Sequence, residues 1–140
     1  MSLTTFKATV SSTDEPFTFV SQSRDFTTTF EATQKQNGYN KGITPNEGLL
    51  FSLGACEDIV AESFYKKEQF EYSSLYILLQ GEISNNRPGF DTIDLDIHFR
   101  TSKSKREIES FVKFMEETCP VRDNLVNKVP IITKQIQTNQ

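Results

Sequence analysis

Several residue types are scarce in this chain, and each scarcity removes a class of function. There is one histidine, His98, so no multi-histidine metal centre can be built, and a Cys-His nucleophilic pair would have to use that residue. There are two cysteines, Cys56 and Cys119, too few for a disulfide-stapled secreted scaffold and at a spacing that fits no zinc ligand set. Positive charge is not in excess: 15 Lys+Arg against 19 Asp+Glu leave a net −4, whereas gripping a phosphate backbone needs clustered cations. Apolar runs fall far short of the roughly 20 residues that span a bilayer, and no charged-then-apolar leader opens the sequence. Neither nucleic acid nor membrane is expected as a partner. The expected location is cytoplasmic, a reducing compartment where a disulfide is more often transient than structural. No linker, repeat or low-complexity block divides the 140 residues, which read as one domain over 1–140.

What the sequence does contain is bulky aromatic packing and two well-marked helix starts. Hydrophobic residues are 36% of the chain, with 12 Phe and 4 Tyr among them. Stretches 6–10, 17–21 and 26–32 are rich in Phe, Thr and Val and are separated by turn material, so they read as strands. Residues 33–43 are polar, carry Gly38 and Gly42, and read as a loop. Thr44-Pro45-Asn46-Glu47 then combines an N-cap hydroxyl, a proline at the first helical position and a capping-box carboxylate. Behind it Leu49, Leu53, Cys56, Val60 and Phe64 form one apolar stripe, widened by Leu50, Ala55 and Ile59. Such a helix should be covered on more than one side, ending near Tyr65-Lys66-Lys67. Gly48 and Gly54 inside it each cost about 1 kcal/mol relative to Ala. Close approach of another backbone is the expected compensation, a tight helix–helix contact that could involve a second subunit.

Residues 73–83 and 92–100 read as an antiparallel pair. In the second of them Ile93, Leu95, Ile97 and Phe99 alternate with Asp94, Asp96, His98 and Arg100, placing His98 on the solvated face. Ser104-Lys105-Arg106-Glu107 is a second capping box, followed by Ile108, Phe111, Val112, Met115 and Cys119 on one stripe, with Pro120 as the stop. Residues 131–136 offer a last strand. Both cysteines therefore sit on inward helix faces, as buried small hydrophobes or as a thiol pair.

Four stretches in order resemble one family. Pro45-Asn-Glu-Gly-Leu-Leu-Phe-Ser-Leu-Gly-Ala-Cys56 resembles the first cysteine motif of the OsmC/Ohr superfamily (osmotically inducible protein C and organic hydroperoxide resistance protein). Cys119-Pro-Val-Arg-Asp-Asn-Leu125 resembles the second, and Arg87-Pro-Gly-Phe90 and Val129-Pro130 fit the strands that accompany them. The placement of Asn46 between the proline and Glu47 matches the broader OsmC-like group. The resemblance implies an α+β fold, with antiparallel sheets around a central cysteine-bearing helix, in an intertwined homodimer. It implies a thiol peroxidase for organic hydroperoxides, with no cofactor, regenerated by an external dithiol.

By the same resemblance Cys56 would attack the peroxide and Cys119 would resolve the sulfenic acid to a disulfide. Glu47 would hold an arginine, and Arg24 is the candidate, with Arg122 as a competing cation that otherwise reads as a solvated residue past a helix end. Nine residues of helix rise about 13.5 Å, so Glu47 cannot touch Cys56 along one straight helix and a partner chain or a bridging arginine would be needed. Glu57 and Asp58 would oppose ionisation of the neighbouring sulfur and are expected to point away from it. Leu49, Leu53, Val60 and Phe64 would supply apolar walls for an alkyl-bearing substrate. The alternative is a non-peroxidatic OsmC-like dimer that binds a small apolar ligand and keeps its cysteines as packing residues.

Overall fold

The computed structural model describes residues 3–84 and 86–138, and its contacts divide the chain into two compact units, Met1–Phe51 and Ser52–Gln140. In the first unit β1 (Thr9–Ser12), β2 (Thr18–Ser23) and β3 (Phe26–Glu31) form an antiparallel sheet in that order. β2 and β3 are in tight hairpin register, Thr18 opposite Glu31 and Ser23 opposite Phe26, with Arg24 in the turn at a positive φ of 54°. β1 lies a few residues later than its apolar composition suggests, because its register places Val10 opposite Ser21 and Ser12 opposite Phe19.

The loop after β3 is organised by a buried side chain. Thr33 caps a short 3₁₀ turn, Gln34–Gln36, and Asn37 closes it in the left-handed region at φ 80°. Glu31, 2% exposed, accepts the main-chain N–H groups of Tyr39 (2.9 Å) and Lys41. Those bonds hold its carboxyl below the usual carboxylate range, the Tyr39 N–H contributing most.

α1 (Pro45–Phe64) starts where the sequence marks it. Thr44 Oγ1 accepts the Glu47 N–H at 3.3 Å, and Glu47 Oε1 accepts the Thr44 N–H at 2.9 Å and its hydroxyl at 3.0 Å. In the second unit, β4 (Ser74–Glu82) pairs antiparallel with β5 (Thr92–Arg100), both alternating between covered and open positions. α2 (Lys105–Thr118) carries the second capping box between Ser104 and Glu107, and α3 (Pro120–Val126) follows at once.

The core lies in this second unit: Leu53, Val60 and Ala61 of α1, Phe70 between α1 and β4, Phe111 and Met115 of α2, and Cys119. Phe70 stacks on Phe111 with centroids 4.4 Å apart and meets Phe99 edge-on at 5.1 Å. Each such ring contributes about 1.5–3 kcal/mol by leaving water. Leu75, Leu79, Ile93, Leu95 and Phe99 close the core from the β4–β5 sheet. His98 is on the open face and stacks on Tyr76, its cross-strand neighbour, at 4.5 Å.

Three expectations are corrected. The helix glycines do not admit another backbone. A Cβ at Gly48 would meet the Phe30 ring at 2.7 Å, and one at Gly54 would meet Leu79 Cδ1 at 2.8 Å, so strand side chains of the same unit use the space. Pro120 ends α2 but also begins α3, a helix the apolar periodicity does not announce. Residues 131–136 form no strand and have no sheet partner among the described residues, and Ile131, Ile132 and Ile136 are open to solvent. On α1, Phe51, Ala55 and Ile59 form a strip at i, i+4, i+8 that this chain leaves uncovered.

Candidate functional site

Cys56 sits half-buried on the inward stripe of α1, one turn past Leu53. Cys119 is 1% exposed and occupies the joint between α2 and α3. The joint follows from the dipeptide Cys119-Pro120. Proline has no N–H to continue α2 and drives the residue before it out of the helical region, and Cys119 is extended at φ −72°, ψ 113°. Its N–H still bonds the Met115 carbonyl at 3.1 Å, its carbonyl accepts the Asp123 N–H at 3.0 Å, and its sulfur accepts the Arg122 N–H at 3.3 Å. Cys119 is thus the last cap of one helix and the first cap of the next, which fixes its thiol.

Both cysteines are free, and Cys56 packs against the core cluster that contains Cys119. Burial, followed by the neighbouring Cys56 thiol, pushes the Cys119 thiol up to about 11, against partial relief from the Arg122 N–H. Cys119 therefore stays protonated at neutral pH. The structure brings to one core the two cysteines that the sequence could only place on separate inward faces.

The charged groups around the pair are not those that composition suggests. Glu57 is sealed from solvent at 0% exposure, and its charge is one of the influences opposing ionisation of Cys119. Arg122 is not a solvated residue past a helix end. Its Nη2 donates to both Glu57 oxygens, at 3.2 and 3.0 Å, and its Nη1 lies 3.5 Å from Glu116 Oε2. Burial nevertheless raises the Glu57 carboxyl above its ordinary range, the Arg122 contacts offsetting only part of that cost. The available signal was positional. Residue 57 falls between Leu53 and Val60 on the buried stripe, and a carboxylate at a core position demands a cation.

Asp58 does turn elsewhere. With Glu62, Tyr65, Tyr72, Ser73 and Leu75 it lines a separate cavity of about 340 Å³, where burial raises its carboxyl. Leu53 and Val60, expected as substrate walls, are 4% and 6% exposed and belong to the core, so neither offers a free surface to a ligand. Arg24 stands in the β2–β3 turn with its guanidinium 4.8 Å from the centre of the Phe26 ring. Glu47 engages Thr44 through Oε1. Among the described residues no group of His, Cys, Asp and Glu could hold a metal ion, and no helix is long and apolar enough to cross a membrane.

A helix-borne cysteine that meets a second cysteine, held at a Cys-Pro joint, in one core of an α+β fold defines a dithiol protein. The profile described as OsmC-like protein matches residues 38–134, and the chain belongs to that family. It is 28% identical over 107 residues to a hydroperoxide reductase of Mycoplasma genitalium, covering 74% of each chain, and equally so to one of Mycoplasma pneumoniae. In fold it is similar to an OsmC-like protein from Mycoplasma pneumoniae, with a TM-score of 0.80, 24% identity and 89% of each chain covered. An organic hydroperoxide resistance protein from Elizabethkingia anophelis gives a TM-score of 0.69 at 14% identity, covering 91% of each chain. The mixed fold with antiparallel sheets and a cysteine-bearing helix is therefore that of the OsmC-like proteins.

Proposed function

We propose that this protein is a thiol-dependent peroxidase that reduces organic hydroperoxides. The observation that carries the reading is the meeting of two free cysteines, Cys56 and Cys119, in one core, in a chain whose relatives are named hydroperoxide reductases. Cys56, the more open sulfur, attacks the peroxide as thiolate; the O–O bond breaks, the alcohol leaves with a proton, and Cys56 becomes a sulfenic acid. Cys119 then attacks the Cys56 sulfur, the S–O bond breaks, and hydroxide departs as water with the Cys119 proton. An external dithiol reduces the resulting disulfide and is itself oxidised. The cycle takes place in the cytoplasm on this reading and calls for no cofactor.

The chain works as a single OsmC-like domain over 1–140 in a homodimer. The uncovered apolar strip at Phe51 (61% exposed) and Ile59 (64%), and the unpaired segment at Ile131 (96%), are surfaces a second copy would cover. The family match, residues 38–134, runs across the boundary between the two units. Arg24 and Glu47 are assigned to the thiolate's surroundings across that dimer, both capping contacts of Glu47 falling on Oε1. An aimed guanidinium is worth more than its charge alone because the carboxylate fixes its direction.

Replacing Cys56 by Ser and following cumene hydroperoxide with excess dithiol tests the reading: turnover is expected to fall to background, and unchanged turnover overturns it. Arg24→Gln is expected to slow the same reaction about a hundredfold, as loss of one electrostatic donor does; wild-type turnover in that variant removes Arg24 from the site.

A further inference from the structure

The two cysteine segments are tied together through one residue of α3, Arg122. Glu57 follows Cys56 directly in sequence, and its carboxylate takes both bonds from Arg122 Nη2. The main-chain N–H of the same Arg122 holds the sulfur of Cys119 at 3.3 Å. One residue of α3 thus grips the neighbour of the first cysteine with its side chain and the second cysteine with its backbone. Glu116 of α2 steadies the guanidinium from the other side at 3.5 Å. If α3 moved away, Glu57 would be left buried and unpaired, so the ion pair resists separation of the sulfurs.

We propose that Arg122 is a positioning residue for disulfide formation, its ion pair with Glu57 seating Cys119 against Cys56. Its place in a catalytic cycle rests on the peroxidase reading; the seating itself does not. The step it serves is capture of the Cys56 sulfenic acid: a Cys119–Cys56 sulfur bond forms, the S–O bond breaks, and the oxygen leaves as water with the Cys119 proton. The groups acting on Cys119 are Cys56 and Glu57 from α1 and Arg122 from α3, with Glu116 of α2 reaching it through Arg122. Two carboxylates share one guanidinium, so Arg122 supplies geometry while burial, aided by the neighbouring charges, keeps Cys119 a thiol. A neutral second sulfur does not repel a thiolate at Cys56 and does not compete with it for peroxide.

Two measurements on the full chain test the seating. In dithiothreitol redox buffers, Arg122→Gln is expected to lower the equilibrium tendency to form the Cys56–Cys119 disulfide by at least about tenfold, since ordering of the two thiols sets their effective concentration. Arg122→Lys, which keeps the charge and loses the fork, restores only part of it. Glu57→Gln with Arg122→Gln leaves no buried charge and carries the test should Arg122→Gln alone not fold. In a Cys56→Ser background, adding Glu57→Gln is expected to move alkylation of Cys119 to lower pH, a change that a packing role alone would not produce. A disulfide equilibrium equal to wild type in the folded double variant overturns the proposal. If the redox-buffer difference appears but the wild type consumes no hydroperoxide, the seating stands and the peroxidase reading falls; the reverse pattern removes the seating alone.

Discussion

Glu31 in the first unit and Glu57 in the second are both sealed from water, at 2% and 0% exposure, and their carboxylates are held in opposite ways. Glu31 accepts uncharged main-chain N–H groups from the loop it organises, and these lower its pKa. Glu57 faces one guanidinium shared with Glu116, and burial outweighs that partner, raising its pKa. A cradle of amides fixes a loop and leaves the local charge settled. An incompletely compensated ion pair instead leaves excess negative charge beside a thiol, which is a lever on chemistry.

The largest effect expected from breaking this contrast is at Arg122. Arg122→Ala strands Glu57 and is expected to cost about 3–5 kcal/mol in a urea titration, much of which returns when Glu57→Gln is added. A smaller and local effect is expected at Glu31. Glu31→Gln removes charge-assisted bonds, and amide exchange at Tyr39 and Lys41 should accelerate about tenfold. The pH dependences run in opposite directions. The lowered Glu31 group contributes stability above pH 4.5, its ordinary value, and loses it as pH falls through its folded value. The raised Glu57 group contributes fully below pH 4.5 and loses that contribution as pH rises through its folded value. Urea midpoints from pH 3 to 7 should therefore show the deficit of Glu31→Gln growing with pH, while wild type loses ground to Glu57→Gln over the same range.

The helix glycines give the smallest and sharpest form of the comparison. At Gly48 an added methyl meets the rigid ring of Phe30, at Gly54 the flexible end of Leu79. Gly48→Ala is expected to cost about 1–3 kcal/mol by overpacking. Gly54→Ala should fall within about 1 kcal/mol of wild type, the gain in helix propensity offsetting a small shift of Leu79. Equal costs in thermal unfolding would mean that the two neighbours yield alike.

What could be read in advance was local. Thr44 with Glu47, and Ser104 with Glu107, satisfy their own helix ends within four residues, and both helices start there. The alternation of β5 likewise needs no knowledge of its partner. Signals that depend on distant chain were not legible. Glu57 and Arg122 lie 65 positions apart, and neither residue type at its position names the other. α3 is held by the sulfur of Cys119 rather than by a hydroxyl or carboxylate cap, so its start looks only like the end of α2. Residues 131–136 have strand composition, but a strand is made by a partner, and this chain offers none among the described residues. The cysteines themselves were legible through their motifs; their meeting in one core belongs to tertiary structure.

The most direct measurement of the whole account is a thiol count with peptide mapping after one equivalent of cumene hydroperoxide is added to the reduced protein. The account predicts that both thiols disappear together and that Cys56 and Cys119 are recovered in one intramolecular disulfide-linked peptide pair. Both thiols remaining free, or a stable oxidised Cys56 beside an unreacted Cys119, would contradict it.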